Sequence, residues 1–220
     1  MRIDLHNHTA YSPDSRVSPR ETVAMARRRG LQGVAITDHN SIGGIAEAED
    51  AADSEFLVIP GLEVSSRDGH ILAYGIREIV PRDRSPTETV EEIVARGGVA
   101  VAAHPYRFWS GLGELGLRQA RFLAYETLNA RTLRGGNARA DRMAGEQGLG
   151  RTGGSDSHFL DEIGAASTVF DSNLSSVDAV LEAIARAATK AEGRSRGAAV
   201  TGRYVAKSVS EWMVRGFRRI

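Results

Sequence analysis

The chain has no cysteine among its 220 residues, which excludes disulfides and thiolate metal sites. Lysine is confined to Lys190 and Lys207, so a Schiff-base lysine or a carbamylated-lysine metal bridge in the body of the chain is excluded. The cations there are arginines, planar forks suited to phosphate or carboxylate oxygens. The formal net charge is zero, and no global field gathers nucleic acid or a membrane surface. Any attraction for an anion must be local. No apolar run is long enough to span a bilayer. With the first strand opening at Ile3 and no secretory leader ahead of it, the sequence reads as a cytoplasmic chain. Its length suits one well-filled core, expected over 1–192, with a basic amphipathic helix over 193–220.

What is present is an alternation. Apolar strands open at Ile3, Gly33, Phe56, His70, Val99, Phe122 and Ala166, and Gly148 to Gly154 carries the chain into Ser155-Asp156-Ser157-His158. Helical stretches lie between several of them: Pro19 to Arg29 with Ser18 as cap and Gly30 as stop, Gly44 to Ala52, a start at Ser85-Pro86-Thr87-Glu88, and Asn137 to Gln147. Strand, polar side chain at its end, helix, next strand: the repetition predicts a parallel sheet closed into a barrel. Ser176 to Lys190 reads as an amphipathic helix and Glu192 to Gly197 as a polar linker. Beyond it Tyr204, Val205, Val209, Trp212, Met213 and Phe217 recur at helical spacing among basic residues.

The chemistry is carried by histidine. His6 and His8 are separated by one residue, which in a strand puts both on one face. Of the six histidines, His6, His8, His39, His104 and His158 sit at or just beyond the ends of predicted strands, and His70 sits at the start of one. They are interleaved with Asp14, Glu63 and Asp156. A single such histidine reads as an ordinary surface or core group; the whole set reads as ligands. Imidazole and carboxylate without sulfur suit zinc, manganese or iron. Nine ligands exceed one tetrahedral ion and fit two or three.

Asp4-Leu5-His6-Asn7-His8-Thr9, Thr37-Asp38-His39, Gly61-Leu62-Glu63, His104-Pro105-Tyr106 and Gly154-Ser155-Asp156-Ser157-His158, in that order, resemble the successive motifs of the PHP (polymerase and histidinol phosphatase) family of metal-dependent phosphoesterases. The resemblance runs from Arg2 to about Phe170. It implies a distorted (β/α)7 TIM-like barrel, followed here by the helical tail, and a hydrolase using two or three divalent metal ions. By position it implies that His6, His8, Glu63 and Asp156 hold one ion, that Glu63 bridges to a second held by His70 and His104, and that Asp14, His39 and His158 hold the third. Three divalent ions against Glu63, Asp14, Asp156 and a hydroxide leave about two positive charges, which a phosphate monoester dianion neutralises.

The expected reaction is hydrolysis of a small phosphate monoester or nucleotide by metal-activated hydroxide, with Asp156, His158 and Arg107 as the catalytic candidates. The alternatives are an exonuclease on short single-stranded nucleic acid and a non-catalytic metal-binding module. Arg107 is the expected phosphate clamp; Arg16, Arg131 and Arg134 are candidates only as a group. Asp4 and Asp38 read either as groups that orient ligands or as a cap or ion pair. Glu126 with Asn129 reads as a mouth-lining pair or a structural hydrogen bond. Trp109 with Phe108 reads either as a wall that stacks on a base or as core packing of at least one of the two. The glycine-rich run Ser110 to Gly116 reads as a mobile lid.

Overall fold

The structure, a computed structural model of the chain, describes residues 1–195 and Met213. Among the described residues there are nine strands: β1 (Arg2–Asp4), β2 (Gly33–Ile36), β3 (Leu57–Ser65), β4 (His70–Tyr74), β5 (Val99–Ala102), β6 (Ala124–Asn129), β7 (Gly150–Gly154), β8 (Ala166–Phe170) and β9 (Thr189–Gly193). The helices are α1 (Pro19–Arg28), α2 (Ile45–Ala51), α3 (Pro86–Ala95), α4 (Gly113–Gln119), α5 (Arg134–Glu146) and α6 (Val177–Ala185). None of them is long and apolar enough to cross a membrane.

Two of the helices begin as their sequences dictate. At α1 the Ser18 side chain accepts from the Glu21 N–H while Glu21 reaches back to Ser18 N, and Pro19 occupies the first turn. Ser85, Pro86 and Glu88 repeat the device at α3. Each reciprocal pair satisfies two donors that a helix start leaves without partners.

The strands form one sheet in the order β7-β6-β5-β4-β3-β2-β1-β8-β9. The sheet curls until β7 meets the β1–β8 side again. Leu5 N–H donates to Gly153 O at 3.4 Å, and Gly153 and Thr168 exchange hydrogen bonds of 2.8 and 3.0 Å. The result is the nearly closed barrel expected. Its interior is filled by one set of alternate strand residues, among them Leu5, Ala35, Ile59, Leu72, Tyr74, Val101, Ala103 and Ala124. The other set packs outward: Val34, Ile36 and Val58 against α1 and α2, and Leu62, Val64, Ile71 and Ala73 on the α3 side. Val180 and Ile184 of α6 join the interior cluster beside Met1, Leu57 and Val99. These three stand at the starts of their strands, so α6 closes the end opposite the histidines.

The sheet is mixed, not parallel as expected. β1, β2 and β3 run parallel, as do β5, β6 and β7, but β4 is antiparallel to both neighbours, and β8 to β1 and β9. The reason is connection length. Only four residues separate Ser65 from His70, enough for a hairpin and far too few for a parallel crossover. The helix expected over Ser176 to Lys190 stops at Ala185, and Thr189–Gly193 is a strand on β8 where a linker was expected from Glu192. The glycine-rich run read as a lid supplies much of helix α4. Of the basic helix expected over 193–220, Gly193 belongs instead to β9 and Arg194 and Ser195 are not helical; the remainder lies outside the described residues except for Met213, which is helical and exposed.

Candidate metal centre

His6 and His8 lie just past the end of β1, not within it. The extended path continues because Asn7 bridges Ser157, His8 N–H donates to Ser157 O at 2.9 Å, and Asp156 N–H donates to His6 O at 2.7 Å. This brings the His-x-His segment against the Ser155 to His158 segment, some 150 residues distant. Gly154 permits the approach: a Cβ there would stand 2.3 Å from the His6 Cβ.

The two imidazoles converge, with their Nε2 atoms 3.1 Å apart. Their outer nitrogens decide what faces inward. His6 Nδ1 lies 2.9 Å from Glu126 Oε1, a carboxylate oxygen that only accepts, so Nδ1 carries the proton. Ser12 Oγ donates its hydrogen to Asp38 Oδ1 at 3.0 Å, so at 3.1 Å it accepts from His8 Nδ1. In the neutral imidazoles this network leaves both Nε2 atoms as lone pairs aimed at one point.

Carboxylates surround that point. Glu63 Oε2 is 3.5 Å from His6 Nε2 and 3.3 Å from His8 Nε2, and Asp156 Oδ1 is 3.8 and 3.3 Å from them. Glu63 also turns the other way, its Oε1 standing 2.9 Å from both His70 Nδ1 and His104 Nε2. Glu63 is paired with Leu72 across β3 and β4 and Ser65 with His70, which puts Glu63 and His70 on a diagonal of one face. His158 Nε2 lies 2.8 Å from Asp14 Oδ2 and His39 Nε2 3.7 Å from it, while His39 Nδ1 approaches Glu63 Oε2 at 3.1 Å. All nine residues read as ligands from the sequence are therefore in one continuous cluster, buried apart from the partly exposed His70, His39 and Asp14. Arg107 also reaches it, touching Asp156 Oδ2 and donating to Asn129 Oδ1 at 2.6 Å.

The donor set fits a group of divalent cations. Four groupings of three ligand atoms lie within 4.8 Å: His6 with His8 and Glu63, His39 with Glu63 and His70, His8 with His39 and His158, and His6 with His104 and Asp156. Asp14 Oδ1, His39 Nδ1 and His104 Nδ1 are buried and make no hydrogen bond. Such atoms are costly without a partner. Without a cation, protons take its place. Burial opposes charge on His6, yet Glu126, Asp156 and Glu63 push its pKa well above the usual value; His8, in contact with Asp156 and Glu63, is raised to about 9. Burial together with Arg107 lowers His104 to about 3, and burial with Arg131 does the same to His158. Glu63 and Asp156 stay ionised despite burial, Glu63 through the histidines and Asp156 through Arg107 and His6.

For several supporting residues the structure decides between the readings the sequence left open. Glu126 does not line the mouth. It is buried, taking His6 on one oxygen and His104 N–H (2.8 Å) and Asn129 Nδ2 (3.0 Å) on the other. Asp38 is neither a cap nor an ion pair: it accepts from Thr9 N–H, Thr9 Oγ1 and Ser12 Oγ. Asp4 accepts from Ser155 N–H, Ser155 Oγ, Gly164 N–H and His6 N–H. Arg131 is buried against Asp156 O and His158, whereas Arg16 and Arg134 are exposed. Phe108 and Trp109 are both exposed, so neither packs in the core. Ser12 was missed altogether; a hydroxyl four residues after His8 is the only local signal for it.

A family model described as PHP-associated matches residues 134–189. An uncharacterized protein of Methanocaldococcus jannaschii is 40% identical over 118 residues, covering 48% of this chain and 68% of that one. A two-domain protein of Bacteroides vulgatus, described as containing a PHP-like metal-dependent phosphoesterase, superimposes with a TM-score of 0.70 at 19% identity, over 88% of this chain and 65% of that one. The chain belongs to the PHP family. A 3',5'-nucleoside bisphosphate phosphatase of Chromobacterium violaceum is 35% identical over 95 residues, 41% of this chain and 33% of the phosphatase. The shared stretch thus spans a third of that enzyme. The PHP barrel accounts for the strand-end positions of the histidines, since barrels of this kind carry their chemistry at that rim.

Proposed function

We propose that this PHP protein is a metal-dependent phosphoesterase that hydrolyses a small phosphate monoester or a nucleotide. The observation that carries the reading is the convergence of the His6 and His8 lone pairs with the carboxylates of Glu63 and Asp156. The phosphoesterase and phosphatase names of the relatives support the same reaction class.

His6, His8, Glu63 and Asp156 would hold one ion; Glu63, His70 and His104 a second; Asp14, His39 and His158 a third. Zinc, manganese and iron all suit this donor set. When bound, such ions supply Lewis acidity toward phosphoryl oxygens and make water acidic enough to ionise near neutral pH. The protein's own groups do the rest. Glu126 and Ser12 fix the tautomers of His6 and His8, so that each presents a lone pair and not a proton. His158 and His104 remain neutral, as ligands must. Arg107 and Arg131 bring fixed positive charge beside Asp156, and Arg107, on the loop after β5, is the group assigned to bind a phosphoryl oxygen. No side-chain nucleophile is required.

The test is hydrolysis by purified protein loaded with manganese, zinc or iron, using p-nitrophenyl phosphate, histidinol phosphate, mononucleotides, bisphosphorylated nucleotides and short RNA. Activity should vanish in His8→Ala and in Asp156→Ala variants that keep the wild-type circular dichroism. Turnover of an amide with no phosphate ester would overturn the class. Failure of the protein to retain any metal by elemental analysis would remove the chemistry entirely.

A further inference from the structure

Phe108 and Trp109 are 86% and 75% exposed. Their rings meet edge to face, 4.6 Å between centroids at 88°. Large aromatic groups are seldom left in water without a use, and the segment that carries these two is built rigidly. Arg107 N–H donates to His104 O at 2.8 Å, Gly111 N–H to Arg107 O at 3.0 Å, and Gly113 N–H to Pro105 O at 2.9 Å. Gly111 has no room for a side chain: a Cβ would stand 2.6 Å from both Pro105 O and Arg107 O. His70 N–H closes the segment from the other side by donating to Ser110 O at 2.9 Å. The three residues of the tip, Phe108, Trp109 and Ser110, therefore stand on a pedestal fixed to His104 and His70, both within the cluster. The residue before the tip, Arg107, has its guanidinium against Asp156.

Taking the phosphoesterase reading as its basis, we infer that Phe108 and Trp109 form a stacking platform for the nucleobase of a nucleotide whose phosphate lies at the histidine cluster. Two rings, each burying about 150–250 Å², give roughly half of the ~800 Å² that each partner of a stable protein complex covers. Standing perpendicular to each other, they suit one planar ring that stacks on one of them and meets the edge of the other. Placement one residue from a phosphate-binding arginine couples recognition of a base to recognition of an anion, and flat π faces accept any base.

Trp109 and Trp212 are the two tryptophans, so a full-length Trp212→Phe protein reports from Trp109 alone. Adenosine 5'-monophosphate should quench its fluorescence saturably, with and without manganese, and ribose 5-phosphate should not. In manganese-loaded protein, Phe108→Ala and Trp109→Ala should each lower the ratio of kcat/KM for the nucleotide to that for ribose 5-phosphate by roughly tenfold, and Trp109→Tyr should keep most of it. Both side chains are exposed, so the variants should melt as the parent does. An unchanged ratio in both alanine variants, or no quenching up to millimolar nucleotide, overturns the platform. A Trp109→Ala protein that changes from dimer to monomer in sedimentation while its ratio holds would assign the pair to a second copy and overturn it equally. Quenching by the nucleotide in a protein that hydrolyses no phosphate ester would sustain the platform and defeat the phosphoesterase reading.

Discussion

Replacing Glu126 by glutamine tests whether the tautomer of His6 is set from behind. The carboxylate takes three buried donors: His6 Nδ1–H on one oxygen, His104 N–H and Asn129 Nδ2–H on the other. An amide has one oxygen, so two orientations compete. With its NH2 toward His6, the imidazole must accept there, and Nε2 then carries a proton into the cluster. With its NH2 toward the other pair, two donors face a third. Either way charge-assisted hydrogen bonds worth about 1.5–3 kcal/mol each are lost. We expect Glu126→Gln to lose about 2–4 kcal/mol of folding stability. Metal affinity should fall about 10- to 100-fold, the range for losing a carboxylate behind a ligating histidine. Chelator competition measures the affinity, and urea unfolding in chelator measures the stability. A cycle with His6→Ala should return a coupling energy of about 0.5–3 kcal/mol. Wild-type metal affinity in Glu126→Gln, with zero coupling to His6, would refute the tautomer assignment.

Ala187 follows the last turn of α6 with φ of 56°, and Ala187 and Ala188 close the helix by donating to Ile184 O and Ala183 O. Glycine is the usual residue in this left-handed closure, so Ala187→Gly should raise stability by about 1 kcal/mol in urea unfolding. Asp4 is a second case: burial raises its pKa from 3.8 to about 6 against the hydrogen bonds of Ser155, Gly164 and His6. An acid whose folded pKa exceeds its unfolded one binds protons more tightly when folded. Its contribution therefore declines as pH rises from about 4 through 6, by up to about 3 kcal/mol. Unfolding of the metal-free protein across that range should show this decline, and the Asp4→Asn variant should lack it. Finally, Tyr74 Oη donates to Leu5 O at 2.9 Å inside the barrel, and Tyr74→Phe should cost about 1–3 kcal/mol by leaving a buried carbonyl unpaired.

Most of the order of strands and helices, though not α4 or β9, the reciprocal caps at Ser18 and Ser85, and the residues that meet in the cluster were legible in the sequence. Each rests on a local rule: alternation along a strand, a hydroxyl three residues before a glutamate, a polar side chain where an apolar run ends. The five ordered motifs added the family and its barrel. What lay beyond the sequence is what depends on partners far along the chain. The Glu126 contact with His6 joins residues 120 apart, the burial of Arg131 follows from where Asp156 and His158 arrive, and β9 exists only because β8 offers it an edge. Backbone at Asp156 and His104 is left-handed, φ of 52° and 28°, a conformation uncommon for any residue but glycine, though Asp and His adopt it more readily than most, and held here by the surrounding hydrogen bonds. Short-range preferences fix which element a segment becomes. Which oxygen of Glu63 faces which histidine is decided by how the finished barrel brings the strand ends together.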